Sequence, residues 1–306
     1  MKRKMIFNMK SLYRDDLRVY GYEFGSGSPS ACIVGATRGN EIQQVFICSQ
    51  LVKRLKELEA QGAINQGKRI MVIPTINTFS MNIGKRFWPT DNTDINRMFP
   101  GYNLGETTQR IAAGVFEEIQ NYEYGIQFAS NYISGDFIPH VRMMKTGFEN
   151  VKLAEKFGLP YVVLRNPRPY DTTTLNYNWQ IWETNAFSVY TCDTEKIDMV
   201  SAMQAIEAVL VFLSKVGLLY YNAPEAGVSE VIDESALITV KSQKAGIFIP
   251  RVDISDRVEA GTVLAEIINP YEGEILEEIK APQAGTVFFM QDNPMILSHA
   301  VAFRLI

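Results

Sequence analysis

Along the first two thirds of the chain the apolar residues switch between a strand-like and a helix-like period, and the switches predict strands handing over to helices. Residues 1 to 30 read as short strands and turns. The apolar run Ala31-Cys32-Ile33-Val34-Gly35-Ala36 then predicts a buried strand. After Thr37-Arg38-Gly39-Asn40-Glu41 comes a helix whose apolar positions Ile42, Val45, Phe46, Leu51, Val52, Leu55 and Leu58 keep the helical period until Gly62. The turn between them lies at the carboxyl end of a strand, the usual place for a site in an open α/β sheet. Arg69 to Asn77 predicts a strand, Glu106 to about Asn121 a helix, and Tyr124 to Ser130 a third strand. Asn131 to Asn150 reads as irregular, Val151 to Phe157 as a short helix and Tyr161 to Leu164 as a fourth strand. The polar, aromatic stretch Arg165 to Asn178 is either an overhang above a pocket or a plain connection. Gln180 to Ala186 predicts a fifth strand with Ile181, Glu183 and Asn185 on one face, and Thr194 opens a long helix. This alternation predicts a three-layer α/β domain over residues 1–222.

After Tyr221 the pattern changes to short strands, and it repeats. Val240 to Phe248 aligns with Ile279 to Val287, and the same offset carries Val258 onto Leu297, Leu264 onto Phe303 and Ile267 onto Ile306. Residues 223–306 therefore form a second, all-β domain that resembles the barrel-sandwich of biotinyl and lipoyl domains. A carrier domain needs a lysine at the turn between its halves. That turn is Asn269-Pro270-Tyr271-Glu272-Gly273-Glu274, with no lysine, so the domain reads as structural or pocket-edging.

Composition narrows the function. A formal net charge of −4 without a long basic run argues against nucleic acid as a partner. The basic start, Met-Lys-Arg-Lys, is followed by no apolar stretch of signal-peptide length, and no run approaches membrane-spanning length. Three cysteines, Cys32, Cys48 and Cys192, are an odd number and predict thiols in a reducing cytoplasm. His140 and His299 are the only histidines, which excludes a metal site built on several.

Chemistry concentrates between Arg86 and Gly101. Turn formers (Pro89, Asp91, Asn92, Asp94, Pro100, Gly101) break every period there, and two arginines, Asn96 and three aromatic rings sit among them. Such a segment is expected to bury little and to face a ligand. A guanidinium fits a carboxylate with two parallel donors, and Asn96 beside Arg97 completes a clamp. The reading is an anion-recognition loop, against the plainer one of a surface loop with two solvated arginines.

Asp94-Ile95-Asn96-Arg97-Met98-Phe99-Pro100-Gly101, preceded by Gly84-Lys85-Arg86-Phe87, resembles the substrate-binding signature of the succinylglutamate desuccinylase/aspartoacylase family, relatives of the zinc carboxypeptidases. The resemblance implies a zinc-peptidase-like α/β domain, a carboxy-terminal β domain, and metal-dependent hydrolysis of an N-acyl amino acid. It implies one zinc held by a His-x-x-Glu pair and a later histidine. Here Arg38-Gly39-Asn40-Glu41 stands at the pair and Gln127-Phe128-Ala129 at the later motif. Only Glu41 is kept of the three ligands, since Arg38 and Ala129 take the histidine positions.

Zinc is therefore expected to be absent. By the same resemblance Glu183 would be the water-activating glutamate, Arg86 would polarise the scissile carbonyl or hold a carboxylate, and Asn96 and Arg97 would clamp the substrate carboxylate. Arg38 is expected to replace the metal as counter-ion of Glu41 and Glu183. The expectation is a family member without hydrolysis that keeps its pocket for a small carboxylate-bearing molecule such as an N-acyl amino acid. The alternatives are an active deacylase with a relocated metal site drawing on Glu41, Glu183, Asp136 or His140, and a scaffold whose barrel binds a protein. Homo-oligomerisation stays open.

Overall fold

The structure is a computed structural model that describes residues 1–11, 15–131, 133–222 and 227–306. They divide into two compact units. One comprises Met1–Ser130, Pro139–Tyr190 and Thr194–Val231, the other Asn131–Ile138, Thr191–Asp193 and Ile232–Ile306.

The chain opens with β1 (Lys2–Met9), β2 (Leu17–Gly25), β3 (Gly27–Ala36), α1 (Ile42–Ala60), β4 (Gly67–Thr75) and α2 (Thr78–Met81). It continues through α3 (Thr107–Ile119), β5 (Tyr124–Phe128), β6 (Asp136–Phe137), β7 (His140–Met144), α4 (Val151–Ala154) and β8 (Tyr161–Arg165). Then come α5 (Leu175–Ile181), β9 (Asn185–Tyr190), α6 (Met199–Lys215) and β10 (Glu230–Asp233).

All but β6 of these strands join one sheet in the order β1-β2-β4-β3-β5-β9-β7-β8-β10. In it β4, β3, β5 and β9 run parallel, so their carboxyl ends share one edge. The interior strands are buried on both faces, which is why β3 reads as a continuous apolar run. Alternate residues feed two cores. Ile33, Ile70 and Val72 pack with Leu51 and Leu55 of α1 and Val209 and Phe212 of α6. Cys32, Val34, Met71 and Ile73 pack with Ile111 and Val115 of α3 and Trp179 of α5. Each such aliphatic side chain contributes roughly 1.5–3 kcal/mol by leaving water.

Three expectations fail here. Gln180 and Ile181 end helix α5, and β9 starts only at Asn185. The helix wins because Trp179 is fully buried with its indole N–H donating to Ile119 O at 3.2 Å, while the Thr174 hydroxyl caps the first turn by accepting from Tyr177 N. The segment 131–150 holds β6 and β7. The latter is wholly buried but hidden in sequence by His140 and Arg142. The long helix starts at Met199, where the Asp198 carboxylate accepts from Ser201 N at 2.8 Å, five residues beyond Thr194.

The second unit adds β11 (Ile238–Lys241), β12 (Gly246–Pro250), β13 (Arg257–Val258), β14 (Val263–Ile268), β15 (Ile275–Lys280), β16 (Gly285–Met290), β17 (Met295–Ile296) and β18 (Val301–Leu305). One sheet has the order β11-β18-β16-β13 with β6 beside β16, the other β15-β14-β12-β17. The sequence repeat carries β12 onto β16 and β14 onto β18, and residues of both halves, such as Phe248 and Phe303, meet in one core. Among the described residues no helix is long and apolar enough to cross a membrane.

Candidate functional site

The site lies in the first unit, at the edge where β3, β5 and β9 end. Beyond β3 the chain turns through Gly39, where a Cβ would sit 2.3 Å from Lys85 O and 2.4 Å from Ser80 backbone. Only glycine fits, and its N–H donates to Arg86 O at 3.1 Å, tying the turn to the Arg86 to Gly101 segment.

Glu41, just before α1, turns its carboxylate back into the turn. Its Oε2 accepts from Thr37 N at 2.9 Å and Arg38 N at 3.0 Å. Its Oε1 accepts from Arg38 Nη1 at 3.0 Å and from the Ser130 hydroxyl at 2.5 Å. Arg38 forks onto Asp94, with Nε 3.1 Å from both carboxylate oxygens and Nη2 2.8 Å from Oδ2. Its Nη1 also donates to Ser130 Oγ at 3.0 Å, so every guanidinium nitrogen is engaged. Burial opposes the charge on Arg38, but the fields and hydrogen bonds of Glu41 and Asp94 outweigh it and hold the guanidinium pKa above its ordinary value.

Arg86 is half-buried beside this cluster. Burial, then the charge of Arg38, lowers its pKa, against the opposing pull of Glu41, Asp94 and Glu195. It does not line the adjacent cavity.

That cavity, of about 60 Å³, is walled by Arg38, Asn96, Arg97, Gln127, Ala129, Ser130, Met144, Arg165, Asp171, Thr174, Asn176, Ser188 and Tyr190. Asn96 is buried and its Oδ1 accepts from Gln127 Nε2 at 3.0 Å. Arg97 donates through Nη1 to Tyr170 O at 2.6 Å and meets Asp171 Oδ1 at 3.3 Å, while Arg165 Nη2 reaches Asp171 Oδ2 at 2.7 Å. Two cations thus share one carboxylate. Such a volume holds a few water molecules, well below the 300–1,000 Å³ of a typical ligand pocket, so it suits one polar head group.

The structure therefore brings together Arg38, Glu41, Asn96, Arg97 and Ala129, with Arg86 alongside. It does not bring Glu183. That residue stands before β9, exposed and with φ of 65°, at the amino end of a strand whose carboxyl end forms the site. Since β9 runs parallel to β5, Ser188 and Tyr190 are the β9 residues that reach the cavity, and the second carboxylate on Arg38 is Asp94 rather than Glu183.

The expectation that the Arg86 to Gly101 segment buries little also fails. Trp88, Ile95 and Phe99 are core residues, and Asn178 Nδ2 donates to Phe99 O at 3.1 Å. Its turn formers hid this. The sequence reading missed Asp94, Ser130 and Asp171 as site residues. The polar stretch Arg165 to Asn178 carried the available signal, because Arg165, Asp171, Thr174 and Asn176 all wall the cavity.

His140 is buried and stacks on Tyr190 with centroids 5.0 Å apart, while His299 belongs to the other unit. The zinc that the resemblance implies needs lone-pair donors converging on one point. Here they are one carboxylate, a guanidinium that only donates, and the methyl group of Ala129. A divalent cation a few ångströms from Arg38 meets repulsion on the order of several kcal/mol at an effective dielectric near 20. Among the described residues no three His, Cys, Asp or Glu side chains are grouped to hold a metal. The residues present do not fit the zinc.

The profile of the succinylglutamate desuccinylase/aspartoacylase catalytic domain matches residues 28–189. An N-alpha-acetyl-L-2,4-diaminobutyric acid deacetylase of Halomonas elongata is 26% identical over 149 residues, 44% of this chain and 40% of that protein. The matched stretch thus spans less than half the length of that relative. Among solved structures, a succinylglutamate desuccinylase of Silicibacter sp. TM1040 superposes with a TM-score of 0.83 at 18% identity, covering 99% of this chain and 94% of that one. The product-bound ectoine utilization protein EutE (DoeB) of Ruegeria pomeroyi gives 0.76 at 20% identity, covering 95% and 88%. These likenesses establish a common mixed α/β fold. With the family profile spanning more than half of the chain and the signature segment walling a cavity at the sheet edge, the protein belongs to the succinylglutamate desuccinylase/aspartoacylase family.

Proposed function

We propose that this family member binds a small carboxylate-bearing molecule, such as an N-acyl amino acid, without zinc-dependent amide hydrolysis. The observation that carries the reading is Arg38, locked by Glu41, Asp94 and Ser130 at the end of β3. A metal lowers the pKa of its bound water to about 7, and an arginine has no such effect. The binding half rests on Arg97, a partly exposed guanidinium of the signature segment that walls the cavity. Charge-assisted pairing with a ligand carboxylate is the use that fits a cation in that position. The acylated amino acid in the name of the Halomonas relative supports the same ligand class. We infer with it a three-layer α/β domain over residues 1–222 and a β barrel-sandwich over 223–306.

The test pairs thermal unfolding with an assay for released acetate, using N-acetylglycine as probe. The reading expects a raised Tm, no acetate with or without added zinc, and loss of the Tm shift in Arg97→Ala. Chelator-sensitive acetate release would instead establish a deacylase with a relocated metal site. A Tm unmoved by the probe would leave the scaffold reading.

A further inference from the structure

A second cavity in the first unit takes no part in the site above. It opens where the end of β1 meets α2 and the start of α3, and its volume is about 790 Å³. That lies within the roughly 300–1,000 Å³ of small-molecule pockets. Its wall holds Met9, Phe79, Trp88 and Pro89 together with Lys10 and Arg110. Phe79 and Trp88 stack with centroids 5.6 Å apart and planes 17° from parallel, Trp88 buried and Phe79 half-buried. The buried indole thus fixes a ring that keeps some of its surface at the cavity.

The packing of β1 on α3 brings the two cations to this wall. Lys4 Nζ pairs with Glu118 Oε2 at 2.6 Å, and Phe7 lies so close to α3 that a Cβ on Gly114 would sit 2.4 Å from its Cδ2. The next step, three residues on from Phe7 and four back from Gly114, reaches Lys10 and Arg110. Where the first step pairs a cation with a carboxylate, the last sets two cations on one cavity wall. Both are exposed, and among the described residues neither has a carboxylate partner. The nearby Asp91 is committed to Thr93, accepting from its N–H at 3.0 Å and its hydroxyl at 2.6 Å.

We propose that this cavity binds an aromatic phosphomonoester, a flat ring carrying a dianionic group. The Arg110 guanidinium offers phosphate oxygens two parallel donors, and Lys10 adds a mobile point charge. Two cations match a dianion better than the single charge of a carboxylate. Met9, Phe79 and Pro89 give the ring an apolar bed, in which a thioether and an aromatic side chain both favour a π-system. A bare anion would leave that bed wet, and an uncharged ring would leave two like charges uncompensated on one wall. Only the combination uses the whole cavity. The site shares no wall residue with the carboxylate cavity and stands independently of the function proposed there.

Calorimetric titration of the full chain with phenyl phosphate, inorganic phosphate and phenol tests the site. Wild type is expected to take up one equivalent of phenyl phosphate, at least tenfold more tightly than either fragment. Arg110→Gln and Lys10→Gln should each weaken that binding at least fivefold with Tm unchanged, because both side chains are exposed. Arg97→Ala should leave it within twofold. Either fragment binding as tightly as phenyl phosphate would overturn the proposal, as would no binding of phenyl phosphate at all. Binding lost in Arg97→Ala and kept in Arg110→Gln would overturn it too, because the ligand would then sit in the other cavity.

Discussion

Two clusters of arginine and carboxylate stand in the same sheet-edge site, and they differ in burial. In one, Arg38 lies between Glu41 and Asp94 and is 6% exposed, with every guanidinium nitrogen occupied. In the other, Arg97 and Arg165 share Asp171, and the Arg97 side chain is 29% exposed. A buried cation between two anions is complete without any ligand. The Arg97 guanidinium, partly exposed at a cavity wall, can still be reached by a ligand carboxylate. On the proposed reading, similar groups do structural work in the first cluster and binding work in the second, and burial decides which.

The comparison breaks most visibly at Arg38. Arg38→Met leaves the buried Glu41 and the partly buried Asp94 without their counter-ion and should cost about 3–5 kcal/mol of stability by denaturant unfolding. A loss under about 1 kcal/mol would mean that the cluster is not closed.

At the other cluster the effects should reverse. Arg97→Ala should change stability by less than about 1 kcal/mol, as for a partly exposed ion pair, yet weaken N-acetylglycine binding at least tenfold, about 1.4 kcal/mol. A large stability loss with binding intact would place Arg97 with the structural arginine instead.

Asp198 sharpens the lower end of the scale, being a carboxylate held by hydrogen bonds alone. Burial raises its pKa, but the bonds from Ser201 and from the Val200 backbone outweigh that and leave it below the ordinary carboxylate value. Its stabilisation is therefore present above the unfolded pKa of about 3.9 and lost as pH falls through the lowered folded value. Asp198→Ala should cost about 1 kcal/mol at pH 7, and the gap should narrow below about pH 4. A gap independent of pH down to the folded pKa and beyond would contradict the assignment.

Much of this was legible in the chain. The run Ala31 to Ala36 and the helical period from Ile42 to Leu58 signal β3 and α1 because both are buried by apolar side chains alone. The repeat of the second unit shows in the strand spacing for the same reason. Arg38, Glu41, Asn96, Arg97 and Ala129 meet as their motif positions suggested. What stayed hidden depends on tertiary packing. Trp88, Ile95 and Phe99 enter the core from among turn formers, and β7 is buried despite His140 and Arg142. Glu183 looked like a strand residue, but Trp179 draws the preceding segment into a helix and shifts β9 along the chain.

The central claim is that Arg38 occupies the place of a metal, and zinc content tests it most directly. Wild type and an Arg38→His/Ala129→His double variant would be incubated with excess zinc, desalted and analysed for bound metal. The account predicts no stoichiometric zinc in the wild type and about one equivalent in the variant, which restores two lone-pair donors beside Glu41. Close to one equivalent in the wild type would contradict it.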